Sequence, residues 1–181
     1  MIDLKIYSLR IVPPLSISEE INNYKHLHIS NFGKQPLAQS KPHITLAEFL
    51  MDTQYEDKLI RTFNELSSIE KFPIGITGFE MFEKSSVLFL NVSEPVGLKD
   101  IHLKTKQLWQ YKIRRKMKSI TIPRKPHITI SKMEDKNILR TSFDFFRTME
   151  FNEKDFQVDN LILTSRYTYT TWNWEHKILL S

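Results

Sequence analysis

The sequence predicts an α+β domain built by internal duplication, and three observations carry the prediction. The pentapeptide Lys41-Pro42-His43-Ile44-Thr45 returns as Lys125-Pro126-His127-Ile128-Thr129, and a long-period repeat reads as duplicated structure. Phe72 and Phe156, which open later apolar runs, are separated by the same 84 residues as His43 and His127. Each copy is followed by a helix-period segment and then a hairpin pattern. The copies span about 41–92 and 125–180, inside one domain covering residues 1–181.

In chain order, Ile2 to Val12 reads as a strand closed by Pro13-Pro14. Ser16 followed by Glu19 has the spacing of a capping box, after which Ile17, Ile21, Tyr24 and His28 fall on one helical stripe. Gly33 and Pro36 punctuate a loop from Asn31 to Ser40. The first repeat strand runs from about His43 to Leu50. Asp52 then caps a helix whose buried face is Tyr55, Leu59, Phe63 and Leu66. Phe72–Phe82 and Val87–Val92 make a hairpin around Glu83-Lys84-Ser85-Ser86. A helix with Leu98, Ile101 and Leu108 starts after Gly97, and a basic segment leads to the second repeat strand, about His127 to Ser131. A helix from about Glu134 to Met149 follows, with Ile138, Phe145 and Met149 inward, and Phe156–Tyr167 with Trp172–Leu180 forms a last hairpin.

Composition narrows the class. Of the residues, 40% are hydrophobic and 12% aromatic, ample for a packed interior. No apolar stretch reaches the roughly 20 residues of a membrane-spanning helix. The N-terminus lacks the basic and apolar regions of a signal peptide. With no cysteine there are no disulfides, thiolate nucleophiles or sulfur ligands. A cytoplasmic protein is expected, without membrane contact and with no obligate protein partner implied. The net charge of +5 is unevenly spread. Between Asp100 and Glu134 there is no carboxylate and there are ten cations, whereas the rest holds sixteen cations and twenty-one carboxylates. Singly such cations are ordinary solvated charges; as a cluster entering the second repeat they predict an anionic partner.

Strand alternation puts His43 and Thr45 on one face and Ile44 and Leu46 on the other, and does the same for His127 and Thr129 against Ile128 and Ile130. Proline before each histidine suits the first strand position, where no ladder donor is needed. If the copies face each other, two imidazoles flank one pocket with two hydroxyls beside them. One neutral imidazole can then take a proton from attacking water, and the other, protonated, can deliver one to a departing oxygen. The threonine hydroxyls can donate to non-bridging phosphate oxygens. A lone His-x-Thr is usually structural; an identical pair at the heads of two strands points to His43, Thr45, His127 and Thr129 as catalytic.

His43-Ile44-Thr45-Leu46 and His127-Ile128-Thr129-Ile130 resemble the paired H-x-T-x motifs of the 2H phosphoesterase superfamily. The resemblance is greatest to its bacterial 2′-5′ RNA ligase and RNA 2′,3′-cyclic phosphodiesterase branch. It extends to Thr77–Phe82, Val87–Leu90 and Leu161–Ser165. It implies two pseudo-symmetric α+β lobes, each an antiparallel sheet with flanking helices, around a central cleft. It further implies catalysis without metal or other cofactor on RNA or a nucleotide bearing a 2′,3′-cyclic phosphate or 2′-5′ linkage. Hydrolysis of the cyclic phosphate is the leading expectation; the alternatives are 2′-5′ ligation, cleavage of 2′-5′-linked or cyclic oligonucleotides, and silent RNA binding. The first histidine would be the proton donor and the second the acceptor. Some relatives carry arginine three residues after the second threonine; here Lys132 stands there, keeping a cation without bidentate clamping. Glu48 occupies the matching place in the first copy.

Among other candidates, Tyr167, Tyr169, Trp172 and Trp174 could stack on a base. Cross-strand packing is the plain alternative, and Tyr167 and Trp172 lie nearest the turn. Lys132, Tyr167 and Trp172 are therefore the candidate substrate-binding residues. His26 and His28 are two apart and do not share a helix face, so no metal site is expected there. His28, on the apolar stripe, is expected to be a partly buried structural residue. His102 and His176 have no ligand-spaced partners, and phosphate-loop, dinucleotide and serine-hydrolase motifs are absent.

Overall fold

Branched and aromatic residues alternate along Leu4–Ile11 (β1), which stops short of Pro13-Pro14 because proline has no ladder donor. The computed structural model describes residues 3–168 and 170–181, except for the side chains of Met117 and Lys118. Ile2, expected to open the first strand, and Tyr169, a stacking candidate, lie outside the described residues. α1 (Leu15–Phe32) starts directly after Pro14, and the expected Ser16–Glu19 capping box does not form. Pro14 takes the cap position and leaves Ser16 inside the first turn, while the Ser18 hydroxyl donates to the Pro13 carbonyl at 2.9 Å.

β2 (Ile44–Asp52) carries the first motif, and the Asp52 carboxylate accepts from the Gln54 amide at 3.0 Å to cap the turn beyond it. Then come α2 (Glu56–Phe63), the hairpin β3 (Phe72–Phe82) with β4 (Val87–Val92), and α3 (Val96–Leu108). The chain continues through one π turn at Trp109–Ile113 and a 3-10 turn at Arg114–Lys116. It next enters a strand that charge had concealed, β5 (Met117–Thr121). β6 (His127–Lys132) carries the second motif. α4 (Lys136–Arg147) buries Leu139, Ser142 and Phe146, and of the residues expected inward Ile138 and Met149 pack partly buried against the core. Phe145 is turned outward to 37% exposure because Phe146 takes the inner place against Phe79 and His28. The expected strand Phe156–Tyr167 is broken at Asp159 into β7 (Lys154–Val158) and β8 (Asn160–Tyr167), since the two parts serve different edges of the sheet. β9 (Trp174–Leu179) ends the fold.

The nine strands form one antiparallel, curled sheet in the order β7-β3-β4-β6-β2-β1-β8-β9, with β5 sharing the outer edge of β2 with β6. The two motif strands meet at the centre through a single register pair, Ile44 with Ile128. This joins the two expected sheets into one. On one side lie β2, β1, β8 and β9, with α2 behind them through Phe63 against Phe49 (5.7 Å) and α3 packed on α2. On the other lie β6, β4, β3 and β7, backed by α1 and α4. The segments 41–92 and 125–180 are not these spatial halves. The β3–β4 hairpin follows the first motif in sequence but flanks the second in space, and β8 and β9 do the reverse.

Both motif strands bulge three residues after their histidine. Leu9 faces Ala47 and Arg10 faces Thr45, skipping Leu46. Leu88 faces Ser131 and Phe89 faces Thr129, skipping Ile130. An inserted residue reverses the alternation of faces. Glu48 and Lys132 thereby join the open face held by the histidines and threonines, although strict alternation would assign them to the core. Ile44, Leu46, Ile128 and Ile130 are fully buried on the other side.

Lys25, on α1, holds the two motif regions together. Its buried ammonium donates to the Leu37 carbonyl (3.3 Å), the Ser40 hydroxyl (3.2 Å) and the Ile130 carbonyl (3.3 Å), the last belonging to the bulged residue. Leu37 adopts φ of 65°, a left-handed conformation that costs a branched residue energy. That conformation aims its carbonyl at Lys25. No ion pair involves Lys25 among the described residues, and burial pushes its pKa down to about 8.

His28, expected to be partly buried, is wholly enclosed between Phe32 and Phe146, and neither ring nitrogen has a partner among the described residues. Burial, with Lys25 nearby, pushes its pKa down to about 4. The unfolded chain therefore takes up this proton first as pH falls below about 6.5. Stability declines from there toward pH 4, each unit of pKa difference being worth about 1.4 kcal/mol. Urea unfolding should show the protein markedly weaker at pH 4.5 than at pH 7. His28→Leu should remove about 2–3 kcal/mol of that difference; an unchanged pH dependence in this variant would show that His28 does not cause it.

Candidate active site

The pair Ile44–Ile128 places position 43 across from 129 and position 45 across from 127. In a regular ladder His43 and His127 are then diagonal neighbours, about 7–8 Å apart. All four motif side chains are half-buried on the open face. The two imidazoles are held alike. His43 Nδ1 lies 2.7 Å from the Lys41 carbonyl, and His127 Nδ1 lies 2.9 Å from the Lys125 carbonyl. A carbonyl only accepts, so each Nδ1 carries the proton and each neutral ring presents Nε2 as a base. The proline between lysine and histidine keeps the lysine extended and turns its carbonyl back to the ring. Neither threonine hydroxyl bonds another described residue, so both are free to donate.

The surroundings of the two histidines differ. At equivalent bulge positions stand Arg10, across from Thr45, and Phe89, across from Thr129. His127 meets Phe82 (5.0 Å) and Phe89 (5.2 Å) edge to face. Lys125, in the same pentamer, is tied to Glu80 and lies over the Phe89 ring. His43 has cations about it: burial, then Arg10, then Lys25 and His127 push its pKa down to about 4. The His127 pKa is also lowered, by burial and by Lys125. Both rings are therefore neutral at pH 7 in the free protein.

Arg10 was missed by sequence reasoning, since an arginine inside a strand carries no motif signal. Only 9% exposed, it donates through Nε to Ser8 (2.8 Å) and stacks 3.9 Å over Trp172. Arg166 lies 5.0 Å from the same ring. Burial pushes the Arg10 pKa down to about 10. Among the described residues no carboxylate is within ion-pair distance of it, although Glu48 and Glu175 lie near enough to favour its charge. Arg10, Lys41 and His43, with Thr164, Glu175 and Lys177, line a cavity of about 360 Å³ beside the motifs.

The structure thus brings His43, Thr45, His127 and Thr129 together and adds Trp172 through Arg10. Lys132 stands on the open face of β6, its amide donating to the Pro36 carbonyl at 2.9 Å. Tyr167 is not brought to the histidines. It lies across from Lys5, at the far end of β1 from Arg10, and its hydroxyl donates to Asp3. His26 and His28 share no ligand partner, His102 sits on α3, and His176 faces Asn64. Among the described residues no group of three or more His, Asp or Glu side chains converges as metal ligands do.

Two central antiparallel strands, each bearing His-x-Thr on the open face, define the 2H phosphoesterase class. The family model described as the 2′-5′ RNA ligase superfamily matches residues 13–170, and the chain belongs to this family. It is therefore one of a family of phosphoester-processing type. Similar solved structures include Escherichia coli LigT complexed with 3′-AMP, at 15% identity and TM-score 0.64, covering 98% of this chain and 95% of that one. A Thermus thermophilus protein is similar at 14% identity and TM-score 0.62, covering 96% and 97%. Kluyveromyces marxianus Usb1 is similar at 15% identity and TM-score 0.54, covering 97% and 98%. No functionally curated protein sequence matches the chain. No helix among the described residues is long and apolar enough to cross a membrane.

Burial and Arg10 both lower the His43 pKa, so removing the guanidinium relieves part of the depression. In Arg10→Met, the NMR titration of His43 should move up from about 4 toward, but not to, 6.5, while His127 keeps its value. No movement of His43 would show that Arg10 does not act on it.

Proposed function

We propose that the protein is a metal-independent phosphodiesterase that hydrolyses a 2′,3′-cyclic phosphate at the end of RNA or on a nucleotide. The observation that carries this is the matched pair of imidazoles, each fixed in the Nδ1–H tautomer, diagonal across two adjacent strands. With phosphorus between them, one Nε2 removes a proton from water as the water oxygen bonds to phosphorus. The opposite bond, to the 2′ or 3′ ribose oxygen, breaks, and the other imidazolium protonates that oxygen. Thr45 and Thr129 donate to the non-bridging oxygens as charge builds there, and Arg10 holds the anion from the first half. The bound anion raises both imidazole pKa values, which gives one ring the proton the free protein does not hold at pH 7. The Escherichia coli relative was solved with 3′-AMP, which ends in one of the two phosphates such hydrolysis leaves, and this supports the reading.

The family description favours one alternative for the same site, in which a ribose hydroxyl of a second RNA replaces water and the ends are joined. Mass analysis of products from cyclic-phosphate-ended RNA, with and without an acceptor strand, separates the two.

His43→Ala and His127→Ala should each lower kcat at least about 100-fold with unchanged urea midpoints; near-normal rates in either would eliminate the proposal. Turnover should be insensitive to EDTA. The reactive free protein holds one proton on the pair, and both pKa values lie below the ordinary value. kcat/KM should therefore peak below about pH 6.5, and kcat at higher pH once the anion is bound. Identical optima for the two would contradict the proposed role of the bound anion.

A further inference from the structure

We propose that a basic pocket at the far end of β2 is a docking site for the RNA strand whose 3′ end lies between the histidines, an inference that rests on the reading above. Lys58, Lys112, Arg114, Arg115 and Lys116, with Gln110 and Tyr111, line a cavity of about 830 Å³ in which no wall residue is acidic. Lys112 is neutralised by Glu65 at 2.6 Å. Lys58, Arg114, Arg115 and Lys116 have no carboxylate partner among the described residues. Aromatic rings steady two of them: Lys116 lies 4.6 Å over Tyr55 and Arg114 5.7 Å from Trp109. The change from α to π to 3-10 winding over 108–116 gathers these cations in one place, where a continuous α-helix would distribute them round its circumference.

The position of the pocket connects it to the catalytic pair. Its last residue, Lys116, runs into β5, which pairs with β2 from Glu48 to Met51 on the edge that β6 occupies at Ile44. The histidines and the pocket thus stand at opposite ends of one strand, about 23 Å apart along seven residues. Between them runs the open face of β2 and β5, with Glu48, Leu50, Ser119 and Thr121; of the β2 carboxylates on this face, Glu48 lies toward Arg10 and Asp52 accepts from the Gln54 amide at the strand's end. That span suits several nucleotides. Tyr111, 78% exposed among the cations, offers a face for a base. Cations interleaved with an exposed aromatic ring fit a single-stranded polyanion with bases better than an acidic protein or a lipid surface.

The test compares Arg114→Gln/Arg115→Gln/Lys116→Gln with the parent protein on two substrates: a nucleoside 2′,3′-cyclic phosphate and a 12-nucleotide RNA ending in one. Turnover of the mononucleotide should be unchanged. kcat/KM for the RNA should fall about tenfold or more near 0.1 M salt, and the slope of log affinity against log salt should drop by about 2, near 0.7 for each lost phosphate contact. Binding of fluorescent RNA is measured in parallel in a His43→Ala background, where the RNA stays intact. If the parent turns over neither substrate, the hydrolytic reading fails while the binding arm still decides the docking site. Unchanged RNA affinity and salt slope in the triple variant would overturn the proposal. So would an equal loss on both substrates, or patch-dependent binding of polyglutamate or anionic vesicles that RNA does not displace.

Discussion

A single buried ammonium sets the relation between the two motifs. Lys25 reaches from α1 to the loop that delivers His43 and to the bulge behind His127, and no other described side chain bonds to both regions. Direct pairing of β2 and β6 is confined to one register position, so the central seam of the sheet is thin. The cost of a desolvated cation without a counter-ion is visible in its lowered pKa. Three oxygens from two segments, the 37–40 loop and the β6 bulge, offset that cost, and their convergence requires the left-handed Leu37 and the bulged Ile130 together. The spacing of the two motif imidazoles follows from that arrangement.

Within the pseudo-symmetric frame, one substitution of residue type gives the site chemical direction. Backbone, tautomer and bulge are the same in both halves, but the position across from the motif threonine is Arg10 in one and Phe89 in the other. One imidazole sits among cations and the other among phenyl edges. A symmetric pair would bind a phosphate in two equivalent orientations. The guanidinium, stacked on Trp172 and open toward the cavity, makes one of them better for an anion.

Much of this was legible in the amino-acid sequence. Alternation in a repeated pentamer placed both histidines and both threonines on one face, and capping at Asp52 and the β3–β4 hairpin followed local rules that packing did not override. What escaped was set by tertiary pairing. The bulges at Leu46 and Ile130 leave no local mark, so the open-face positions of Glu48 and Lys132 could not be derived from a period of two. β5 was hidden because a short stretch following a run of cations, with Ile120 its one inward side chain among the described residues, lacks a strand pattern. On α4 Phe145 was taken for an inward residue because Phe145 and Phe146 are equally apolar and only the packing against Phe79 and His28 selects Phe146. Arg10 and Lys25 were invisible, since a buried cation is recognised by what surrounds it.

The crossed allocation of hairpins has a consequence for folding. β1 takes β8 as its neighbour, more than 150 residues later in the chain. β6 likewise needs β4 from the preceding stretch and α1 from near the start. Neither half can close until segments far apart in the chain are both present. Such high contact order slows folding and leaves apolar strand edges uncovered in the interim. In exchange, each motif strand is held by neighbours from distant parts of the chain, so the seam between them is tied to the whole sheet.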